Sequence, residues 1–170
     1  MSDTSAPAPD DQPFKPEGKP LASRSGSQAF PDGEWFNLQL DYVNDKGQTV
    51  TSYAYFVGTN ATWSFWDYIS ATASNGPKAK FKKDSSDGNF AVLKLQDDNY
   101  LSCRANPRRW VYRSSAYPLG WQIVDGKLYT NYHDGPVGTV HQWVAVPDAF
   151  YLKVDGGDTL TNCKWVKADN

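Results

Sequence analysis

The chain has few of the residues that helices and most enzyme chemistry depend on. Its 170 residues include two histidines (His133 and His141), two cysteines (Cys103 and Cys163), one methionine, and only two glutamates (Glu17 and Glu34) among nineteen acidic residues. Glutamate suits helix interiors, whereas aspartate suits turns and caps. An acid complement made almost wholly of aspartate therefore argues against a helical fold. Cys103 and Cys163 lie far apart with no Cys-x-x-Cys spacing, so no zinc motif is present. Two half-buried structural thiols are expected, with a disulfide as the alternative. There is no Gly-x-Ser-x-Gly elbow, no phosphate-cradling glycine loop and no His-Glu-x-x-His helix. The expectation is a protein that is not an enzyme and uses no metal or cofactor.

Charge of one sign is lacking too. Seventeen basic residues face nineteen acidic ones, so the surplus that neutralises phosphates is missing and a nucleic-acid partner is not expected. No apolar run approaches the roughly 18 residues of a membrane helix. The polar start Met1-Ser2-Asp3 has neither the basic nor the apolar region of a secretory leader. A cytoplasmic protein, one exported by another route, or one whose leader has been trimmed off is the corresponding expectation.

What the chain does have is aromatic side chains: seven Trp, ten Tyr and eight Phe, in short runs punctuated by Asp-Gly, Asn, Gly or Pro. Trp35 to Leu40 alternates with period two. A turn at Asn44 to Gly47 follows, then the β-branched and aromatic run Thr49 to Val57. Phe90 to Leu95 and Tyr100 to Arg104 flank Gln96-Asp97-Asp98-Asn99. Trp121 to Val124 and Lys127 to Tyr129 flank Asp125-Gly126, the strongest hairpin turn in the sequence. His141 to Val146 and Phe150 to Val154 form a further hairpin, and Lys164 to Val166 is a terminal strand. These are signs of an all-β domain. The stretch from Thr62 to Ser74 is open between a crowded strand and a short helix ending at Asn75-Gly76-Pro77. Residues 1–31 hold six of the eleven prolines and little apolar surface, so they read as a disordered Pro-rich tail before a single β domain spanning 32–170.

Phe81, Trp121 and Trp165 recur at intervals near forty residues, each on a closing strand. A threefold repeat of that length is what a β-trefoil needs, with the three aromatics plugging one end of a barrel. A competing register superposes Leu93 to Leu101 on Val144 to Leu152. A β-sandwich is the alternative fold, and a mixed α+β fold the third. Trp121-Gln122-Ile123-Val124-Asp125-Gly126-Lys127-Leu128 resembles the Trp…Asp-Gly-x-Leu hairpin of ricin-type β-trefoil lectins, and Tyr100-Leu101-Ser102 resembles a strand of the fascin-like branch. The resemblance implies a trefoil. The ricin-type Gln-x-Trp signature is absent, so the sugar-binding residues of that family are not carried over.

A sugar site needs an aromatic face for the apolar side of a pyranose and fixed Asp, Asn or Arg groups for its hydroxyls. Candidates are the turn Asp97, Asp98 and Asn99, the basic-aromatic loop Arg108, Arg109 and Trp110, and the aromatic maximum containing Trp63 and Trp66. A non-enzymatic, lectin-like module with glycans as partners is the leading expectation. Arg108 or Arg109 as the bait of a loop-based protease inhibitor is the second. Membrane contact by a toxin-like aromatic segment from Tyr53 to Tyr68 is the third. The sequence is silent on oligomeric state.

Overall fold

In the computed structural model the described residues are 25–56, 68–72, 77–96, 98–103, 109–114, 117–142, 149–154 and 156–168. Among them there is no helix, and the strands are all antiparallel. In chain order the first eight are β1 (Ser27–Gln28), β2 (Phe36–Val43), β3 (Thr49–Tyr53), β4 (Tyr55–Phe56), β5 (Ile69–Ser70), β6 (Phe81–Asp87), β7 (Phe90–Leu95) and β8 (Tyr100–Cys103). They are followed by β9 (Val111–Ser114), β10 (Gly120–Val124), β11 (Lys127–Thr130), β12 (Gly138–Gln142), β13 (Ala149–Lys153), β14 (Asp158–Thr159) and β15 (Thr161–Lys167).

Period-two alternation decides which side chains enter the core. On β2, Phe36, Leu38, Leu40 and Tyr42 are buried, while Gln39, Asp41 and Val43 are only partly covered. On β7 the buried Leu93 and Leu95 alternate with Val92 and Lys94. Turn chemistry then sets the register. At the β10–β11 hairpin, Asp125 and Gly126 both adopt positive φ (53° and 74°). A two-residue turn with that geometry matches the natural twist of a hairpin. At the β2–β3 turn the Asn44 side-chain oxygen accepts from the N–H groups of Lys46 and Gln48, both at 2.9 Å.

Two antiparallel sheets result. The larger runs β1-β10-β7-β6-β2-β15, with β11 on β10, β3 on β2, β8 on β7 and β9 on β8; the smaller runs β14-β12-β13-β5-β4. Among the described residues the larger sheet does not close into a barrel. Where β15 passes the β10–β11 hairpin, no ladder forms, though the Cys163 N–H donates to the Gly126 carbonyl at 2.8 Å. Two antiparallel sheets accord with the β-sandwich alternative at this level of description.

The inward faces form one main core, with Phe36, Phe81, Leu93, Leu95, Trp121 and Leu128 all at 0% exposure. A second buried cluster joins Tyr68, Trp110, Tyr112 and Tyr151. It lies where three segments meet in a ring, through the pairings Tyr68 with Tyr112, Trp110 with Lys153, and Tyr151 with Ser70.

Two expectations change here, and one left open is narrowed. The tail was expected to run through residue 31, but Ser27 and Gln28 pair with Val124 and Ile123, and Phe30 is 6% exposed and stacked on Phe36 at 5.4 Å. Residues 25–31 therefore belong to the β domain, because burying Phe30 and adding strand hydrogen bonds offsets the cost of ordering them. Residues 1–24 lie outside the described residues. The proposed aromatic triad keeps Phe81 and Trp121 in the core, but Trp165 is only partly buried, with its indole N–H donating to the Ala29 carbonyl at 2.7 Å. The β15 register shifts between Thr161 and Lys164, and Cys163 is the buried side chain there. In the stretch left open between strand and helix, Ile69–Ser70 is strand; residues 57–67 and 73–76 lie outside the described residues.

Candidate functional site

A half-buried tryptophan beside a row of charged side chains is the best-equipped concavity. Phe36 points inward and packs on Phe81, so by strand parity its predecessor Trp35 is turned to the outer surface. Trp35 lines a cavity of about 210 Å³ with Lys82 and Lys83 of β6, Asp84, Lys94 of β7 and Asp98 of the β7–β8 turn. That is below the roughly 300 Å³ at which clefts for drug-sized ligands begin, and suits a single ring.

Each wall has a local cause. Lys83 pairs with Leu93 and Ser85 with Val92, which leaves Asp84 as the extra residue of a bulge. A bulge re-aims its side chain, and the Asp84 carboxylate lies 3.7 Å from the Lys94 ammonium. Asp98 takes φ 67°, a conformation aspartate tolerates, and its N–H donates to the Leu95 carbonyl at 3.0 Å. Lys82 and Lys94 are direct cross-strand partners on one face. The Lys82 ammonium lies 5.5 Å from the Trp35 ring centre, and that of Lys94 lies 5.7 Å from the Tyr100 ring centre. Lys83 is ion-paired with Asp32. The site thus offers an indole surface, two carboxylates and three ammonium groups.

Two other cavities lack one of these parts. The larger, about 430 Å³, is lined by Gln39, Asp41, Thr51, Asn162 and Lys164 among others and has no aromatic wall. Its Asp41 carboxylate already accepts from Thr51 Oγ1 at 2.6 Å and Asn162 Nδ2 at 2.8 Å. The other, about 200 Å³, runs from Ser27 to Phe30 and past Gly88 to Ala91; its Phe30 and Phe90 are 6% and 5% exposed.

Of the residues expected from sequence to bind ligand, Asp98 lines the Trp35 cavity. Asn99 is in the same turn, with its carbonyl accepting from the Leu95 N–H at 2.7 Å. Arg109 is half-exposed with φ 56°, and its carbonyl accepts from the Val154 N–H at 2.9 Å. Trp110 was expected as a stacking surface, but it is 2% exposed and packed on Tyr151 at 5.8 Å, so it offers no face to a ligand. Asp97, Arg108, Trp63 and Trp66 lie outside the described residues. Trp35, Lys82 and Lys94 were not singled out in the sequence. The parity of the Trp35 to Leu40 run was the one available signal.

The scarce reactive residues are packed away. His133 is buried, and His141 stacks on Phe150 at 4.5 Å. Cys103 and Cys163 are free thiols, as expected over a disulfide, and are buried where half-burial was expected. Burial pushes both up to about 12, with Arg109 partly opposing the rise at Cys103. An unfolded thiol ionises near 9, so between pH 9 and 12 the unfolded chain has lost protons that the folded chain retains. Stability is therefore full below pH 9 and falls as pH rises through this window. Urea midpoints measured from pH 7 to 11 are expected to drop steadily above pH 9, and a flat profile would contradict the burial. Neither thiol is expected to react with a disulfide reagent until the chain unfolds.

No protein-family model, curated protein or solved structure matches the chain.

Proposed function

We propose that this protein is a non-enzymatic, lectin-like carbohydrate-binding domain of β-trefoil architecture, with the Trp35 cavity as its sugar site. The observation that carries the functional reading is the half-buried Trp35 walled by Asp84, Asp98 and three lysines in a cavity the size of one ring. The apolar face of a pyranose stacks on the indole, and the carboxylates accept its hydroxyl protons.

The architectural reading rests on recurrence. The hairpins β4–β5, β8–β9 and β12–β13 occur once in each third of the domain, and the segments following their loops pair in a ring. In the first third, Leu38 accepts from Ala54, whose carbonyl accepts from Ala79; in the last, Leu128 accepts from Val137, whose carbonyl accepts from Leu160. The Gln96 side chain accepts from the Lys80 N–H at 3.0 Å, and Asn131 accepts from the Gly120 N–H at 3.1 Å. Both acceptors stand three residues after a buried leucine, Leu93 or Leu128, as Asp41 does after Leu38.

The protease-inhibitor reading rests on Arg108 or Arg109 and the membrane reading on the segment from Tyr53 to Tyr68; Arg108 and residues 57–67 lie outside the described residues, Arg109 is half-buried, and Tyr68 is fully buried. The test is a broad glycan array followed by titration of the hits. Trp35→Ala is expected to weaken the best hit about tenfold, the scale of one lost ring stack, while leaving the thermal midpoint within a few degrees of wild type. An array with no hits, or a hit that Trp35→Ala leaves untouched, would remove this reading.

A further inference from the structure

Resting on that reading, we infer that the Trp35 site selects acidic saccharides: sugars whose ring stacks on Trp35 while a carboxylate or sulfate on it engages Lys82 and Lys94. Two separate features point this way. The first is strand register. Lys82 and Lys94 face each other directly across the β6–β7 ladder, where like charges are destabilising. The aspartate nearest to them relieves this only in part, since Asp84 is 3.7 Å from Lys94 and both side chains are roughly a third exposed. Among the described residues, Lys82 has no carboxylate within ion-pair reach. A local rule broken and only partly compensated inside the fold is what a ligand site looks like.

The second feature is how Lys82 meets Trp35. Its ammonium lies over the indole, 5.5 Å from the ring centre. A neutral sugar seeking that ring face has to displace the cation and returns nothing for the lost cation–π contact. An acidic sugar gives the displaced ammonium an anionic partner, and a charge-assisted hydrogen bond is roughly twice as strong as a neutral one. The anion also lies between two ammonium groups that otherwise repel. The lining therefore favours an acidic ring over its neutral counterpart, with Asp98 left for a hydroxyl.

The experiment compares three four-residue probes on the full chain by calorimetry at low and physiological salt: an oligogalacturonate, its carboxyl-reduced galactose form, and a sulfated galactose oligomer. At least one acidic probe is expected to bind about tenfold or more tighter than the neutral one, with a preference that shrinks as salt rises. The two acidic arms tell carboxylate from sulfate recognition. Lys82→Gln is expected to erase the preference and Lys94→Gln to reduce it, and Trp35→Ala to weaken every probe that binds. Equal binding of acidic and neutral probes overturns the inference and leaves the sugar site standing. Acidic binding that survives Trp35→Ala and Lys82→Gln places the anion elsewhere and overturns it too. Binding of none of the three, with a blank glycan array, removes both readings.

Discussion

Trp121→Ala is expected to cost about 3–5 kcal/mol, the range for emptying a buried aromatic site, and so to remove much of the roughly 5–15 kcal/mol that holds a domain of this size together. Trp121 is fully buried at the centre of the larger sheet, opposite Ala91 of β7 and Thr130 of β11. Alanine leaves a void that the flanking strands, held on both edges by ladders, are poorly able to close. The indole N–H also donates to the Leu101 carbonyl at 2.9 Å. That acceptor lies at the start of β8 in a buried setting, so its loss adds a desolvation cost of about 1–3 kcal/mol unless water enters the void. Trp121→Phe helps to separate the two contributions, because it keeps most of the volume while losing the donor. Guanidine unfolding followed by far-ultraviolet circular dichroism is the measurement. A loss below about 1 kcal/mol for Trp121→Ala would mean that β7, β10 and β11 do not enclose this side chain as described.

How far the sequence discloses this molecule depends on the range of the forces involved. The Asp125-Gly126 hairpin and the inward positions of β2 are legible because turn preference and strand parity are local. The pairing of Lys82 with Lys94 is not, since it depends on a bulge at Asp84 that no residue type announces. Trp35 stands between these cases: Phe36, Leu38 and Leu40 face inward, and parity places Trp35 outward. Trp110 misleads for a related reason. Its arginine neighbours suggest a surface, yet the ring is enclosed by Tyr151 on one strand and lies beneath the Lys153 ammonium, 5.6 Å from its centre. A long basic side chain can cover an aromatic while keeping its own charge in water. The buried Phe30 was hidden by its context as well, because a proline-rich approach says little about where the chain first docks. Asp98 was correctly placed in a turn, but that the turn borders a tryptophan follows only from the packing of β2 beside β6 and β7.

Gly138→Ala is expected to be strongly damaging for a single-methyl change, at about 1–3 kcal/mol or more. Gly138 opens β12 opposite Thr159 of β14. A Cβ built there would lie 2.2 Å from the Gly156 carbonyl oxygen and 2.7 Å from that of Asp158. Both obstacles are backbone, so no rotamer change relieves them. The β13–β14 connection has to move away, and with it go the pairings Gly138 with Thr159 and Thr139 with Asp158, along with the bond from the Leu160 N–H to the Val137 carbonyl at 3.1 Å. Gly156→Ala is the matched control. Its added carbon would meet only the flexible Lys153 side chain, at 3.7 Å or beyond, and its backbone is not left-handed. There the methyl restricts the unfolded chain and is expected to be neutral or to stabilise by up to about 1 kcal/mol. Gly120→Ala should fall between the two. Its obstacles are the Phe90 Cβ at 2.8 Å and the Asn131 amide at 2.9 Å, and the amide can turn only by giving up its hydrogen bond to the Gly120 N–H. Urea midpoints of the three variants should therefore rank Gly156→Ala above Gly120→Ala above Gly138→Ala. Equal midpoints for Gly138→Ala and Gly156→Ala would show that β14 does not press on β12, and with that the edge of the smaller sheet would have to be redrawn.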